Sequence, residues 1–491
     1  MESLRFAVIP AWISPLNSPS SVPRRIAVIG GGIAGLAAAH RLIELDPTVR
    51  LTLFEAGPRL GGVLSTVEDQ GFQIEQSADN FITTLPWGLA LCKRLGLDHD
   101  LVQTDPRYRR TYVVRSGKLY RLPDGFFMMA PTRLWPLAVT PILSPLGKLR
   151  AAMEYFIPPR SGDEDESMAS FVRRRLGREA FDRLVEPLVG AVYAADMELL
   201  SVEATLSRFR EMEQQHGSLI RAMRRQMGQR PKAKAESGAR YSMFVTLRHG
   251  LSSLVAALAA RLPAGAVRCG APVRRIGRCG PLWRVELAAP AGPVEPLDAL
   301  IVAAPSHVAA GLLEQVDREL AADLARIEHS GTAIVSAGYE QGQIAHPLDG
   351  MGFVVPAVER SPLLACSFSS RKYPHRAPPG RTLLRAFVGG ARRPELAEMP
   401  DPELRRLVLE HLAKVLGIRG EPLCCDIAHW PRTMPQYHVG HKQLVARIEA
   451  RVAGLPGLQL AGNAYHGVGL PDCIHGGESA AERVLAAPST L

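Results

Sequence analysis

The sequence predicts a mixed α/β (α+β) fold with three parts: a parallel-sheet domain built from discontinuous segments, a mixed-sheet domain, and a helical insertion. Three observations indicate this arrangement. Residues 25–55 run strand, glycine-rich turn, helix, strand. Three strand-like runs follow each other between residues 271 and 305, and a last strand with a glycine-rich turn occupies residues 458–477. The first alternation is typical of a parallel sheet covered by helices.

The first segment has glycines at the spacing of a nucleotide-binding turn. Ile26–Ile29 is a short, β-branched-rich apolar run of the kind that forms a strand buried on both faces. Gly30, Gly32 and Gly35 follow, and residues 36–45 form an Ala-rich helical pattern. In such turns the first glycine allows a sharp bend, the second lets a pyrophosphate approach the backbone, and the third lets helix and strand pack closely.

An acidic residue completes this unit. Residues 49–54 form a second strand, and Glu55 ends it twenty residues after Gly35. A carboxylate there can accept hydrogen bonds from ribose hydroxyls, while the backbone N–H groups at Ile33 and Ala34 face a diphosphate at the helix start. Glycines alone could form a plain turn, but the ordered strand, turn, helix, strand and acid predict a Rossmann-like dinucleotide site.

A second glycine pair follows within a few residues. Ala56 and Arg59 precede Gly61 and Gly62, whose backbone offers further donors to the same diphosphate. The two turns together resemble the signature of the large FAD-dependent amine oxidase and porphyrinogen oxidase superfamily, which favours FAD over NAD. Many members carry a basic residue directly after the second pair. This chain has Val63 there, so Arg59 is the candidate cation.

Composition excludes several classes. The 491 residues are 46% apolar and carry a net charge of +10, from 58 Lys and Arg against 48 Asp and Glu. The sequence shows no nucleic-acid-binding module, so an anionic substrate or a membrane surface explains the charge better. Seven scattered cysteines without a Cys-x-x-Cys pair give no zinc signature and favour a reducing, cytoplasmic setting.

Patterning along the chain predicts the domain boundaries. Residues 1–24 are expected to form a disordered tail and residues 221–240 a solvated loop. Three separate segments of the chain are expected to assemble into the nucleotide-binding domain. A helical, membrane-side insertion and a substrate domain lie between them in the sequence. These five segments are residues 25–100, 241–305 and 445–491 for the first domain, 101–240 for the insertion, and 306–444 for the substrate domain.

Residues 101–160 combine basic charge with apolar runs. They hold ten Lys and Arg against three Asp and Glu. This pattern suits either a peripheral membrane contact or a cleft for an apolar anion. Prolines within the run argue against one long interfacial helix, and no segment of the chain has the length and apolarity of a transmembrane helix.

Later segments are expected to complete the cofactor site. The runs at 271–276, 283–287 and 297–305 are predicted to add to the nucleotide-binding sheet, placing Val273 near the adenine and Ala303 at a strand end. The last strand delivers Gly462 and Asn463. A helix predicted to begin near Gly476 would point its positive end at the flavin.

The loop before that helix is the next candidate contact with the ring. It contains Val468, Gly469 and Leu470. Strand, glycines and helix in succession favour a flavin-binding role over a plain turn.

Four segments extend the resemblance to one branch of the superfamily: residues 181–196, 244–254, 430–441 and 462–477. Together with the glycine turns they closely resemble the oxygen-dependent protoporphyrinogen/coproporphyrinogen oxidases of haem biosynthesis. The resemblance implies an FAD enzyme that oxidises a porphyrinogen to the aromatic porphyrin in two-electron steps, with O2 as acceptor. It covers nearly the whole chain, from about residue 25 to residue 485.

Five residues are candidate substrate contacts. Asp79 and Asn80 follow the strand-like run at 72–76, where a loop would enter the site, although either could instead cap the next helix. Asp79 falls at the family's polar position near the substrate ring. Arg109, Arg110 and Thr111 precede a predicted hairpin, and Thr111 stands where some members place an arginine.

The resemblance leaves several questions open. The Thr111 position is more like the bacterial coproporphyrinogen-oxidising branch, yet coproporphyrinogen III and protoporphyrinogen IX both remain candidate substrates. No residue is assigned as catalytic, because hydride transfer needs orientation and an electron sink more than a nucleophile. The oligomeric state is open between monomer and homodimer.

Other functions remain alternatives. A flavin amine oxidase would use a pair of aromatic residues near the C-terminal turn, but Tyr465 is followed by Leu470 and Pro471 there. A carotenoid desaturase belongs to the same superfamily. A non-catalytic flavoprotein that delivers porphyrin to a partner is a third possibility.

Overall fold

The computed structural model describes residues 23–131, 133–229, 243–288 and 295–487. Residues 1–22, which hold nearly all of the expected N-terminal tail, lie outside the described residues.

A five-stranded parallel sheet forms the base of the cofactor site. Its order is Val267–Arg268, Arg50–Phe54, Arg25–Ile29, Ala299–Val302 and Leu458–Leu460. Every neighbouring pair is parallel. Three distant stretches of chain therefore contribute strands to one sheet, with Arg25–Ile29 at its centre.

Both faces of this sheet are covered. On one face Ile26, Val28 and Ile301 pack in a core with helices Ile33–Leu45, Ser252–Ala259 and Leu470–Ala486. On the other, side chains such as Ala27 and Leu300 pack with a β-hairpin and three helices. Those helices are Ser306–Leu313, Arg318–Ala325 and His441–Ala453. Apolar residues on both faces explain why these strands are continuous apolar runs.

Two of the three predicted strands between residues 271 and 305 do not join this sheet. Val273–Cys279 and Leu282–Leu287 form a separate antiparallel hairpin. Trp283 and Val285 are buried while Arg284 and Glu286 are exposed. This alternation marks a strand with one solvent face, whereas a strand inside the parallel sheet is apolar on both. The sheet edge is taken instead by Val267–Arg268.

A seven-stranded mixed sheet forms the second layer of the site. Its strands are, in order across the sheet, Cys424–Pro435, His329–Glu340, Arg381–Gly389, Leu363–Phe368, Gly352–Val354, Thr111–Arg115 and Lys118–Arg121. The pair Gly352–Val354 and Thr111–Arg115 is parallel and the other neighbours are antiparallel. One face packs on helix Asp401–Leu416.

Short strands and helices connect the two sheets. The strands are Thr66–Asp69, Phe72–Glu75, Phe81–Ile82, Leu101–Gln103, Phe126–Phe127, Ala130–Pro131 and Phe244–Leu247. Helices Pro86–Arg94 and Ser369–Lys372 lie among them.

The insertion is mainly helical between residues 134 and 229, whereas Thr111–Arg115 and Lys118–Arg121 from its first part are strands of the mixed sheet. Its helices are Leu134–Val139, Pro145–Ala152, Met168–Leu176, Arg178–Ala180, Glu186–Tyr193, Val202–His216 and Leu219–Gln229, with a π-helical turn at Phe181–Val185. The prediction of a loop from residue 221 is therefore wrong up to residue 229, because Ala222 and Met223 are buried and give that stretch an apolar side. Residues 230–242 lie outside the described residues.

The C-terminal helix begins earlier than predicted. It starts at Leu470, with Gly469 as its N-cap and a proline in its first turn, where a missing N–H costs nothing. Gly476 and Gly477 are therefore inside the helix. A Cβ on Gly477 would lie 2.1 Å from the backbone oxygen of Ala34. The glycine is there because the two helices approach closely, so it does not mark a helix start.

The predicted fold class is confirmed: a mixed α/β chain with a Rossmann-like parallel sheet from discontinuous segments, a mixed sheet and a helical insertion. Within the described ranges, every helix is too short or too polar to cross a bilayer.

Candidate active site

The first glycine turn is tightly packed on one side and open on the other. Gly30 has a φ of +106°, and a Cβ there would lie 2.5 Å from the backbone oxygen of Ala303. A Cβ on Gly35 would lie 1.8 Å from the oxygen of Gly30. A Cβ on Gly32, in contrast, would meet no atom within 4 Å. The turn thus leaves a space directly above Gly32.

Among the described residues, no side chain caps the start of the helix that follows. Gly32 is its N-cap. The first turn, which includes Ile33 and Ala34, contains no acidic residue. Unpaired N–H groups at a helix start attract anions, and a diphosphate there gains roughly 0.3–1 kcal/mol from the helix dipole.

The second glycine turn lies directly against the first. The N–H of Gly61 donates to the oxygen of Gly31 at 2.8 Å. A Cβ on Gly62 would lie 3.1 Å from the Cα of Gly32, and Val63 follows in a half-buried position. The two turns therefore border one space above Gly32.

Arg59 braces the second turn. Its guanidinium donates to the backbone oxygens of Leu60, Gly62 and Leu64 at 3.1, 2.9 and 3.0 Å. These bonds hold the second glycine turn in its conformation. The contact of Arg59 with phosphate stays a prediction.

Glu55 is fixed at the end of its strand by both carboxylate oxygens. Oε2 accepts from the N–H of Gly31 at 2.7 Å and Oε1 from the N–H of Gly57 at 2.6 Å, with Ala56 between. The backbone oxygen of Glu55 accepts from Ala271 at 2.9 Å, which brings the chain leading to Val273 alongside. The carboxylate is thus held beside the first glycine turn.

A third turn, from the C-terminal segment, lies at the same end of the parallel sheet. Ala303 N donates to Ile29 O at 2.8 Å and Ala461 N to Val302 O at 3.0 Å. Gly462 follows, and a Cβ there would meet no atom within 4 Å. The Asn463 amide donates to Thr433 O at 3.1 Å.

These residues fit an FAD. Open space above Gly32 and Gly462 gives room for a diphosphate, the uncapped helix start supplies donors, and Glu55 stands where a ribose would lie. The predicted cofactor residues of the three turns are thus brought together at the carboxyl end of the parallel sheet, where open α/β sheets bind ligands.

A cavity of about 510 Å³ continues from the third turn. Val468, Gly469 and Leu470 form part of its wall, facing Tyr193 and Tyr437. Asp472, in the first turn of the C-terminal helix, also lines it, and burial raises the pKa of this carboxyl. The predicted ring-side residues therefore border this cavity.

A second cavity, of about 180 Å³, lies on the mixed sheet. Val354 and Phe387, whose side chains lie on the sheet face opposite helix Asp401–Leu416, line it with apolar surface, and Thr111 and Lys372 are polar groups in its lining. Asn80 and Phe244 line both cavities. The two spaces thus adjoin between the flavin turns and the mixed sheet.

The predicted substrate residues are dispersed around this region. Thr111 and Asn80 line the smaller cavity. Arg110 is exposed and pairs with Asp349 at 2.9 Å, and Arg109 is exposed beside it. Asp79 is not a helix cap, because helix Pro86–Arg94 is capped by Leu85 without a side-chain hydrogen bond.

Asp79 belongs to a buried ionic cluster that the sequence did not reveal. Its Oδ2 lies 3.1 Å from Lys372 Nζ and 3.4 Å from Arg385 Nη1. Arg376 donates to the backbone oxygen of Asp79 at 2.8 Å and lies 3.4 Å from Glu75. Burial opposes ionisation of Asp79, but these cations outweigh it and hold the pKa of the carboxyl well below its usual range.

One sequence signal could have identified part of this cluster. Arg385 interrupts the apolar strand Arg381–Gly389 and is fully buried. A charge within an otherwise apolar strand requires a buried partner. The identity of that partner, three hundred residues away, depends on the fold.

Comparisons with known proteins agree with this geometry. The family described as flavin-containing amine oxidoreductase matches residues 33–485. Coproporphyrinogen III oxidase of Bacillus subtilis (strain 168) is 36% identical over 469 residues, 94% of this chain and 98% of that protein. Chloroplastic protoporphyrinogen oxidase 1 of Arabidopsis thaliana is 32% identical over 476 residues, 91% of this chain and 86% of that protein.

A solved structure is similar over nearly the whole chain. It is a crystal structure from Exiguobacterium sp. 255-15, provisionally named as a protoporphyrinogen oxidase. The two share a TM-score of 0.84 and 32% identity, over 95% of this chain and 99% of the other. The chain therefore belongs to the flavin-containing amine oxidoreductase family and is an FAD-dependent oxidoreductase.

Proposed function

We propose that this protein oxidises a porphyrinogen, coproporphyrinogen III or protoporphyrinogen IX, to the corresponding porphyrin in haem biosynthesis, with O2 as acceptor. The observation that carries the proposal is the pair of adjoining cavities between the flavin turns and the mixed sheet. Their lining combines apolar side chains with a half-buried cation, Lys372. The similarity to coproporphyrinogen III and protoporphyrinogen oxidases over more than nine-tenths of the chain supports it.

The chain's own residues supply orientation. Val354 and Phe387 offer an apolar surface for one face of a tetrapyrrole. Bound FAD supplies a two-electron hydride acceptor. Asn80 and Phe244, where the cavities meet, would position a substrate carbon and exclude water, and holding reactants in register accounts for much of such a rate enhancement.

A flavin amine oxidase is the alternative enzyme. Tyr465, the aromatic residue expected in an amine cage, packs in the core beside helix His441–Ala453 and lines neither adjoining cavity. A cationic substrate would also be repelled by Lys372 in the cavity wall. Both observations favour the porphyrinogen.

Turnover with alternative substrates tests the proposal. The purified FAD-loaded protein is expected to convert coproporphyrinogen III or protoporphyrinogen IX to a fluorescent porphyrin and to release peroxide in air. Monoamines and diamines should give no peroxide above the enzyme-free rate. Peroxide from amines without porphyrin formation would instead identify an amine oxidase, and a porphyrin-binding protein that turns over neither would refute enzymatic function.

Removal of the strand-end carboxylate should weaken cofactor binding. Glu55→Ala loses two charge-assisted hydrogen bonds, to Gly31 and Gly57, together with the group beside the ribose. We expect FAD affinity to fall roughly tenfold or more. The flavin-to-protein absorbance ratio after dialysis measures this. Glu68→Gln, at an exposed position, is the matched control, and full flavin retention in Glu55→Ala would contradict the assignment.

We also propose that the insertion rests on a membrane surface. Trp135, Leu146 and Phe156 are 76%, 79% and 81% exposed. Val139, Leu149 and Met153, from the same short stretch, are exposed as well. Arg133 is an exposed cation beside them. Grouped apolar side chains with adjacent basic charge are typical of proteins that bind anionic membrane surfaces.

Sedimentation with vesicles tests the membrane contact. The wild-type protein should co-sediment with phosphatidylglycerol-rich vesicles, and the triple variant Trp135→Ser/Leu146→Ser/Phe156→Ser should lose most of this binding while keeping its flavin. Val308→Ser, an exposed apolar residue on another helix, is the control and should bind normally. Dimers in solution that the triple variant dissociates would show that a second copy covers the face instead.

A further inference from the structure

The buried cluster around Asp79 contains more positive than negative groups. Lys372, Arg376 and Arg385 face two carboxylates, Glu75 and Asp79. The arginines and Glu75 are fully buried. Burial also raises the pKa of Glu75, which shifts it toward the neutral form. Burial lowers the pKa of Lys372 as well, although Asp79 opposes this shift. With all five groups ionised, the cluster carries one excess positive charge in an interior where such a charge is costly.

The single negative charge of Asp79 cannot neutralise this excess, because its two carboxylate oxygens already interact with three neighbouring side chains. Its Oδ1 accepts from the Asn80 amide at 2.6 Å, and its Oδ2 is shared between Lys372 and Arg385. Asp426, the next carboxylate toward Arg385, accepts from Gln76 at 3.0 Å, and burial raises its pKa.

The arginines have donors left over. Within the described part of the chain, Nε and Nη1 of Arg376 and Nε of Arg385 have no hydrogen-bond acceptor. Buried donors without acceptors are rare in folded proteins and call for an explanation. An anion bound near the cluster would offset its excess positive charge.

One cation of the cluster reaches open space. Lys372 lines the smaller cavity together with Thr111, and Val354 and Phe387 are apolar residues of the same lining. An ammonium has three donors, and Asp79 takes one of them. The cavity thus offers a cation and a hydroxyl above an apolar surface.

We propose that Lys372 binds a propionate carboxylate of the substrate, and that Arg376 and Arg385 keep it available by competing for Asp79 and Glu75. The inference rests on the proposed function and adds a recognition residue to it. The ligand's carboxylate supplies the counter-charge that the cluster lacks. The same excess charge repels amines, so the cluster selects acidic tetrapyrroles within a family that includes amine oxidases.

Substitution of Lys372 by an apolar residue of similar size tests its role in substrate binding without creating a cavity in the protein interior. Lys372→Met keeps the length and apolar stem of the side chain and leaves two cations against two carboxylates, so the protein should fold and retain FAD. The KM for coproporphyrinogen III should rise about tenfold to a hundredfold, with kcat changed less than about threefold. Lys372→Arg should restore most of the affinity, and Lys414→Met, at an exposed position on a helix behind the mixed sheet, should behave as wild type.

Binding of the product gives a readout independent of turnover. Coproporphyrin III should bind the oxidised Lys372→Met holoenzyme about tenfold to a hundredfold more weakly than wild type. Its tetramethyl ester, measured in the same detergent buffer, should bind both proteins equally. An unchanged KM, or equal weakening for acid and ester, would overturn the assignment of Lys372. A wild-type protein that oxidises no porphyrinogen would refute the proposed function instead, so the two failures are distinguishable.

Discussion

The close approach of three backbone turns at one edge of the parallel sheet is the constraint on which the structure depends. Gly30 and Gly35 let the first turn fold against Ala303, and the second turn hydrogen-bonds to the first through Gly61. Side chains at these positions would collide with the neighbouring backbone and push the turns apart. Gly477 extends the same constraint, since it lets the C-terminal helix pack onto helix Ile33–Leu45.

The second organising feature is the ionic cluster between the cofactor turns and the mixed sheet. It joins the segment after strand Phe72–Glu75 to strand Arg381–Gly389. A buried cluster of this kind adds little to stability when compared with an apolar core. The presence of such a cluster is explained if its positive charge binds a ligand. Lys372, which lines the cavity, links the cluster to the space where that ligand would bind.

Local features of the site could be predicted from the sequence, and pairings between distant segments could not. The turn from Gly30 to Gly35 and the acidic residue Glu55 follow a fixed spacing, so their positions at the strand ends could be predicted from the sequence. The start of the last helix was misplaced because Gly477 looks like a turn until its contact with Ala34 is known. The cluster of Asp79 with Lys372 and Arg385 joins residues about three hundred positions apart, and no periodicity reports such a contact.

The central claim is that a flavin in this cradle receives the electrons of a porphyrinogen. The most direct measurement mixes the oxidised holoenzyme with coproporphyrinogen III or with protoporphyrinogen IX in the absence of oxygen and follows the visible absorbance of the flavin. We expect the flavin to bleach with at least one of them, at a rate no slower than aerobic turnover, and to recover its colour when air is admitted. A flavin that stays oxidised with both would contradict the account.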